Sequence, residues 1–177
     1  TSMLQTAEGA LDEVSNMLIR MKDLATQAAD ASSTADDKTA MQAEFDALGT
    51  ELGNVLKNTT FGGAKLLAGG TVAAAMTFQI GASSSETMTV NLAADMTAVV
   101  SDVTSATANY AAAATGTELT SAANASIAKL ETALKSVNKV RSGLGAAANR
   151  LEHVYNNLSN ISTNTKAATG QIMDVDF

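Results

Sequence analysis

The 177-residue chain contains no cysteine, no proline and no tryptophan. Without cysteine there is no disulfide framework, no thiolate metal site and no Cys nucleophile. Without proline, no residue breaks a helix by removing a backbone donor, and slow prolyl isomerisation has no part in folding. Aromatic residues make up only 3%, and much of the 46% hydrophobic fraction is alanine. Such a composition suits thin, Ala- and Leu-seamed helix packing better than a wide sandwich or an enzyme-like interior. Basic residues are also scarce, 11 against 18 acids, for a formal net charge of −7. That balance argues against electrostatic affinity for nucleic acid or anionic lipid. No apolar run approaches the ~20 residues a membrane-spanning helix needs.

Catalytic groups are equally sparse. His153 is the only histidine. A metal site needs further ligands at matching spacing, and no nucleophile elbow or His–acid partner set accompanies the serines. Asp36–Asp37 and Asp174/Asp176 lack the spacing of a calcium loop and read as a helix cap and a solvated tail. The expectation is a non-enzyme without metal or cofactor.

What the chain does have is heptad seams. Leu4, Ala7, Leu11, Val14, Leu18, Met21, Ala25 and Ala28 alternate spacings of three and four. That pattern predicts a helix over about 3–30, packed lengthwise on other helices. Ser2 with Gln5 reads either as a capping box or as a point inside a longer helix at which the sequence starts. The polar turn ASSTADD follows, with Thr34 or Asp36 as cap of the next helix. Met41, Phe45, Leu48, Leu52 and Val55 form a second seam, predicting a helix over about 37–57. A third seam, Val137, Val140, Leu144, Ala147, Leu151, Val154, Leu158 and Ile161, is preceded by Ile127, Leu130 and Leu134. It predicts a helix over about 120–168, weakened locally by Gly143 and Gly145 by ~1 kcal/mol each.

Residues 58–94 differ. Met76, Phe78 and Ile80 alternate with polar residues, as do Met88, Val90 and Leu92, with GASSSE between them. Period two predicts a hairpin whose apolar face lies on the helices. The NTTFGG stretch (58–63) reads as a tight corner, with Gly62 and Gly63 at the turn and Phe61 buried beside the bundle end. Residues 95–123, rich in Ala, Thr and Ser, read as a short variable connection, with at most a short helix near 105–114. The fold class expected is mainly α with a small β-hairpin: one domain, an elongated antiparallel bundle of three long helices.

Seven blocks carry a specific resemblance: QTAEGALDEV (5–14), LIRMKDLATQAA (18–29), MQAEF (41–45), NTTFGGAKLL (58–67), MTFQIGASSSETMTVNL (76–92), VRSGLGAAANRLEHVYNNLSNIS (140–162) and IMDVDF (172–177). In this order they resemble bacterial flagellin. The resemblance implies the inner rod-like domain, D1, without the terminal coiled-coil D0 regions, and with 95–123 in place of the outer domains of larger flagellins. The chain opens at Thr1 rather than Met and reads as a segment of a longer product. The implied function is the secreted structural subunit of the extracellular flagellar filament. The implied partners are other flagellin subunits, the export chaperone, the filament cap and host Toll-like receptor 5.

The resemblance also marks residues. In flagellins that the receptor detects, the matching helices carry an Arg and a Leu, with a Glu on the second helix. Here these are Arg20, Leu24 and Glu44, with Gln27 also matching. Leu24 is expected on a face other than the seam, beside Arg20 as an i, i+4 pair. Ile19 and Lys22 depart from the usual Gln and Arg, and Lys cannot reproduce Arg's bidentate geometry. Asn149, Asn156, Asn160 and Asn164 recur near helical spacing. They read as a solvated face or, given the resemblance, as a subunit-contact strip, because amides hydrogen-bond across an interface without the desolvation cost of charges. Two other readings stand beside the filament subunit. One is a flagellin-like cell-surface adhesin or ligand-binding module, which the shortage of exposed aromatics disfavours. The other is the related hook–filament junction protein, which the NTTFGG and GLGAAANRLEHVYNNLSN blocks fit less well.

Overall fold

A computed structural model describes the backbone of residues 2–175 and the side chains of residues 2–170. Among these residues are four helices and two small antiparallel sheets. They run α1 (Ser2–Ala29), α2 (Ala35–Asn58), β1 (Thr60–Phe61), β2 (Ala64–Lys65), β3 (Ala75–Gln79), β4 (Thr87–Asn91), α3 (Ala93–Ala106) and α4 (Ala123–Val175). Side-chain pairs set the helix directions. Arg20–Glu44 joins α1 to α2, Asp12–Arg141 and Lys22–Glu131 join α1 to α4, and Asp95–Lys139 joins α3 to α4. The two α1–α4 pairs meet with rising against falling numbers, as do Asp95–Lys139 and Asp102–Ser136 between α3 and α4, and the short turn between Ala29 and Ala35 folds α2 back along α1, so the order α2–α1–α4–α3 is antiparallel.

The first seam is realised completely. All eight of its residues are buried without exposed area. At ~1.5–3 kcal/mol per buried Leu, Val or Met, that stripe alone fixes the rotation of α1. Ser2 is already the first helical residue of α1, so it does not act as the cap expected of it. Thr34 does cap α2. Its hydroxyl accepts from Asp37 N at 3.1 Å, and its own N–H donates to Asp37 Oδ2 at 3.0 Å. This reciprocal box satisfies two donors that a helix start otherwise leaves open. Asp174 and Asp176 lie outside the residues whose side chains are described.

Three expectations need correction. The first concerns 95–123, where a fourth helix takes up residues 95–106 of the predicted connection. Met96, Val99, Val103 and Ala106 on α3 are buried against α4, and the Ser136 hydroxyl donates to Asp102 across the pair. Their spacings of three, four and three are a short heptad seam, hidden in a stretch of Ala, Thr and Ser. Gly143 has a role here: a Cβ on it would collide with the Leu92 side chain at the entry to α3.

The second correction is the corner at NTTFGG. It is a miniature hairpin, Thr60 opposite Lys65 and Phe61 opposite Ala64, closed by Gly62 and Gly63 at φ 60° and 82°. Two consecutive positive φ values match the right-handed twist of the strands, and only glycine adopts them without strain. Phe61 is not buried; it is 42% exposed, and Leu66, Leu67 and Val72 fill the core beneath instead. The third correction is the end of the last seam. It stays buried through Leu151, but Leu158 and Ile161 are 37% and 57% exposed.

The larger hairpin follows its predicted alternation. Met76 faces Val90 and Phe78 faces Met88, with Met76, Met88 and Val90 buried and the intervening threonines exposed. Gln79 Nε2 donates to the carbonyls of Gly81 and Ser83, both at 2.6 Å, and holds the connecting loop.

Candidate interaction surfaces

Two surfaces stand out among the described residues. Among the described residues, no group of three His, Cys, Asp or Glu side chains is placed to hold a metal ion, and no described helix is long and apolar enough to cross a membrane. His153 is exposed on α4.

The first surface is the far part of α4. The Asp12–Arg141 and Lys22–Glu131 pairs give α1 and α4 one register. Carried along both helices, it brings Ser2 level with Leu151. Beyond that point no described residue of α1 lies beside α4, yet the apolar spacing continues through Val154, Leu158 and Ile161. Among the described residues Val154 is half-buried and Leu158 and Ile161 are exposed. Tyr155, 41% exposed, stands next to it.

All four predicted contact asparagines are exposed. Asn149 and Asn156 line a shallow groove with Gln5 and Glu8 of α1 and with Tyr155. By helical spacing Asn160 lies with Asn149 and Asn156 on the side of α4 away from the Leu158–Ile161 stripe, whereas Asn164, three residues after Ile161, flanks it. Three of the four asparagines thus share an exposed polar side of the helix.

The second surface spans α1 and α2. Arg20 Nε donates to Glu44 Oε1 at 2.9 Å, and Arg20 Nη2 donates to Glu44 Oε2 at 3.1 Å. Both side chains are about half exposed, at 48% and 47%. The hydrogen bond to Glu44, then the charge of that carboxylate, raises the Arg20 pKa further above its ordinary value. The fork holds the guanidinium flat on the surface and joins two of the residues that the resemblance marked. Gln27 is exposed near the α1–α2 turn, in a groove with Asp30, Ser32 and Asp37. Leu24 departs from its expected place. It is 1% exposed and belongs to the core, so this side chain has no free surface to present. Lys22, where the resemblance has Arg, is engaged with Glu131 at 3.2 Å.

One constellation escaped the sequence reading altogether. Gln42, Asp46, Gly49, Gly53 and Lys57 form a stripe on α2 that holds residues 107–119. Asp46 accepts from Asn109 Nδ2 at 2.9 Å and from Gly116 N at 3.1 Å. Gln42 accepts from Leu119 N at 2.6 Å and donates to Glu118 at 3.1 Å. Lys57 donates to the Tyr110 carbonyl and lies 4.2 Å from the centre of its ring. Gly49 and Gly53 leave room for Thr107 and Tyr110. The only signal was heptad spacing in polar and glycine residues, which a search for apolar stripes discards.

Comparison with known proteins agrees with this architecture. The family models described as the bacterial flagellin N-terminal and C-terminal helical regions match residues 1–71 and 127–177. Flagellin of Halalkalibacterium halodurans is 38% identical over 99% of this chain, which spans 61% of that protein's length. Flagellin of Bacillus subtilis is 35% identical over 99% of this chain and 65% of its own length. The crystal structure of Bacillus cereus flagellin superposes with a TM-score of 0.72 at 31% identity, over 94% of this chain and 90% of that one. Helix α1 and all but the first four residues of α4 fall inside the two matched regions, the fold is shared, and the chain belongs to the flagellin family.

Proposed function

We propose that this chain is the repeating structural unit of an extracellular bacterial flagellar filament. Residues 1–177 are read as one D1-like rod domain, with α3 and residues 107–122 standing where larger flagellins insert outer domains. One observation carries the reading: the family models of the bacterial flagellin N-terminal and C-terminal helical regions match residues 1–71 and 127–177, and the antiparallel pair α1–α4 joins the two. The apolar spacing of α4 runs on through Leu158 and Ile161, and wherever that stripe is covered each residue contributes by the area it buries. The asparagines opposite them supply hydrogen bonds that carry no charge to desolvate. Other subunits are the principal partners; an export chaperone and a filament cap follow from the same reading. The experiment is polymerisation of the intact gene product, seeded with filament fragments and viewed by electron microscopy. Helical filaments are expected, and a folded product that stays monomeric under these conditions refutes the reading.

A second reading concerns Arg20, Gln27 and Glu44 as a contact site for host Toll-like receptor 5. The exposed Arg20–Glu44 fork favours it, since a bidentate Arg is a preformed interface anchor. Leu24, being buried, would act by holding α1 rather than by touching the receptor. Receptor binding that is unchanged in Arg20→Ala removes this reading.

A further inference from the structure

The charges of this chain are sorted by helix. From residue 123 to 170, α4 carries six bases, Lys129, Lys135, Lys139, Arg141, Arg150 and Lys166, against two acids, Glu131 and Glu152. From residue 2 to 58, α1 and α2 with their turn carry ten acids and four bases. A net charge of −7 therefore conceals two surfaces of opposite sign.

Within α4 the bases are sorted again. Arg141 turns toward α1 and pairs with Asp12 at 2.9 Å. Lys135, Lys139 and Arg150 instead follow the helical spacing of one outward ridge, with Ser142 and Ala146 between them. All five are exposed. The ridge bears no carboxylate. Only Lys139, 72% exposed, has an ion partner among the described residues, Asp95 on α3. The small residues in the middle let another surface approach closely, and from Lys135 to Arg150 the ridge spans roughly 22 Å. Asp23 of α1, next in sequence to Lys22, and Asp36 and Glu51 of α2 are exposed, and none has an ion partner among the described residues.

We propose that the outward ridge of α4, through Lys135, Lys139 and Arg150, docks laterally on the acidic outer faces of α1 and α2 of a second copy. This deepens the filament reading and rests on it. The two patches are different surfaces of one molecule, so the contact is heterologous and propagates into an open array instead of closing a dimer. Exposed ion pairs are individually weak and screened by salt. Their part is to set the register and rate of addition, while the apolar stripe of α4 supplies the holding energy.

The test uses charge reversal in the intact gene product. One variant carries Lys135→Glu, Lys139→Glu and Arg150→Glu; the other carries Asp23→Lys, Asp36→Lys and Glu51→Lys. Each is expected to keep wild-type circular dichroism and to elongate seeds on the order of tenfold more slowly at low salt. Mixed together, they should co-assemble, because each then presents the charge its neighbour needs. Wild-type elongation by the first variant overturns the proposal. Two impaired variants that fail to rescue each other remove the α1–α2 face as the partner. A wild type that never forms filaments defeats the filament reading instead. The contact is then judged on the 177-residue chain by carbodiimide cross-linking of mixed 14N and 15N samples. Interchain links from Lys135 or Lys139 to acids of α1 or α2 are expected, and links confined to single chains overturn the contact. A fold lost in the triple variant is bypassed with Lys135→Glu alone.

Discussion

The side chain of Gln42 accepts a 2.6 Å hydrogen bond from the backbone N–H of Leu119, seventy-seven residues away. Gln42 is 2% exposed, and its amide nitrogen is shared between Asp46 and Glu118. One polar side chain thus links α2 to the connection after α3 and separates two carboxylates. Gln42→Ala leaves the Leu119 donor without its partner and brings the carboxylates together without a donor between them. A buried group left unsatisfied costs about 1–3 kcal/mol. The urea midpoint should fall accordingly, with little change in the slope. A loss below about 0.5 kcal/mol would show that water replaces the amide.

Two glycines make opposite predictions. Gly49 lies against Thr107 and Asn109, and a methyl there would run into the Thr107 hydroxyl. Gly9, in the middle of α1, has nothing within 4 Å of a Cβ. Gly9→Ala should stabilise by about 0.5–1 kcal/mol, because alanine loses less freedom in a helix. Gly49→Ala gains the same helical preference but overpacks the docked segment, and should destabilise by about 1–3 kcal/mol. Thermal melts of both variants check the difference in sign. Equal shifts would mean that residues 107–110 move aside at little cost.

How much of this was readable depended on the chemistry of each stripe. The α1 seam was legible from residue types alone because Leu, Val and Met at heptad spacing have one economical use. The α3 seam had the same spacing but only four members, set in Ala- and Thr-rich sequence that reads as a loop. The Gln42–Asp46–Gly49–Gly53 stripe was invisible, since its members matter through room and hydrogen bonds rather than hydrophobicity. Leu24 was misplaced for a related reason. It is next to the seam residue Ala25, and a helix with neighbours on two sides, α2 and α4, buries a wider arc than one heptad seam. The exposed ends of α4 and Phe61 erred the other way, because periodicity reports an apolar face but not whether anything covers it. Of the candidate site, Arg20 and Glu44 were named from resemblance, and their fork emerged only from the antiparallel register of α1 and α2.

The start of α2 gives a pH dependence. The backbone N–H of Thr34, then its hydroxyl, holds the Asp37 carboxyl below its ordinary pKa. Ser32 does the same for Asp30, again through its backbone N–H first. A folded value below the unfolded one means that the charged form is favoured by folding. The contribution is therefore present above the unfolded pKa and is lost as pH falls through the folded one. Carboxyl titration by NMR should find both groups below the common aspartate range. Asp37→Asn should be less stable than wild type at neutral pH, and the gap should narrow toward about pH 2 as the wild-type carboxyl is protonated. A gap that stays constant would assign the effect of the substitution to packing.

The exposed stripe of α4 separates assembly from stability. Leu144 is fully buried between helices, and Leu144→Ala should cost about 2–5 kcal/mol of folding free energy. Leu158 stands two heptads after Leu144 and Ile161 two after Ala147, but both are exposed among the described residues. Leu158→Glu with Ile161→Glu should therefore change the urea midpoint of the 177-residue chain by no more than about 0.5 kcal/mol per site. The same pair in the intact gene product should abolish seeded filament growth, because wherever the stripe is covered two carboxylates would be buried in place of apolar area. Normal growth of the double variant would move the contact to the asparagine side of α4. Asn156→Ala with Asn160→Ala would then be the substitution that stops assembly.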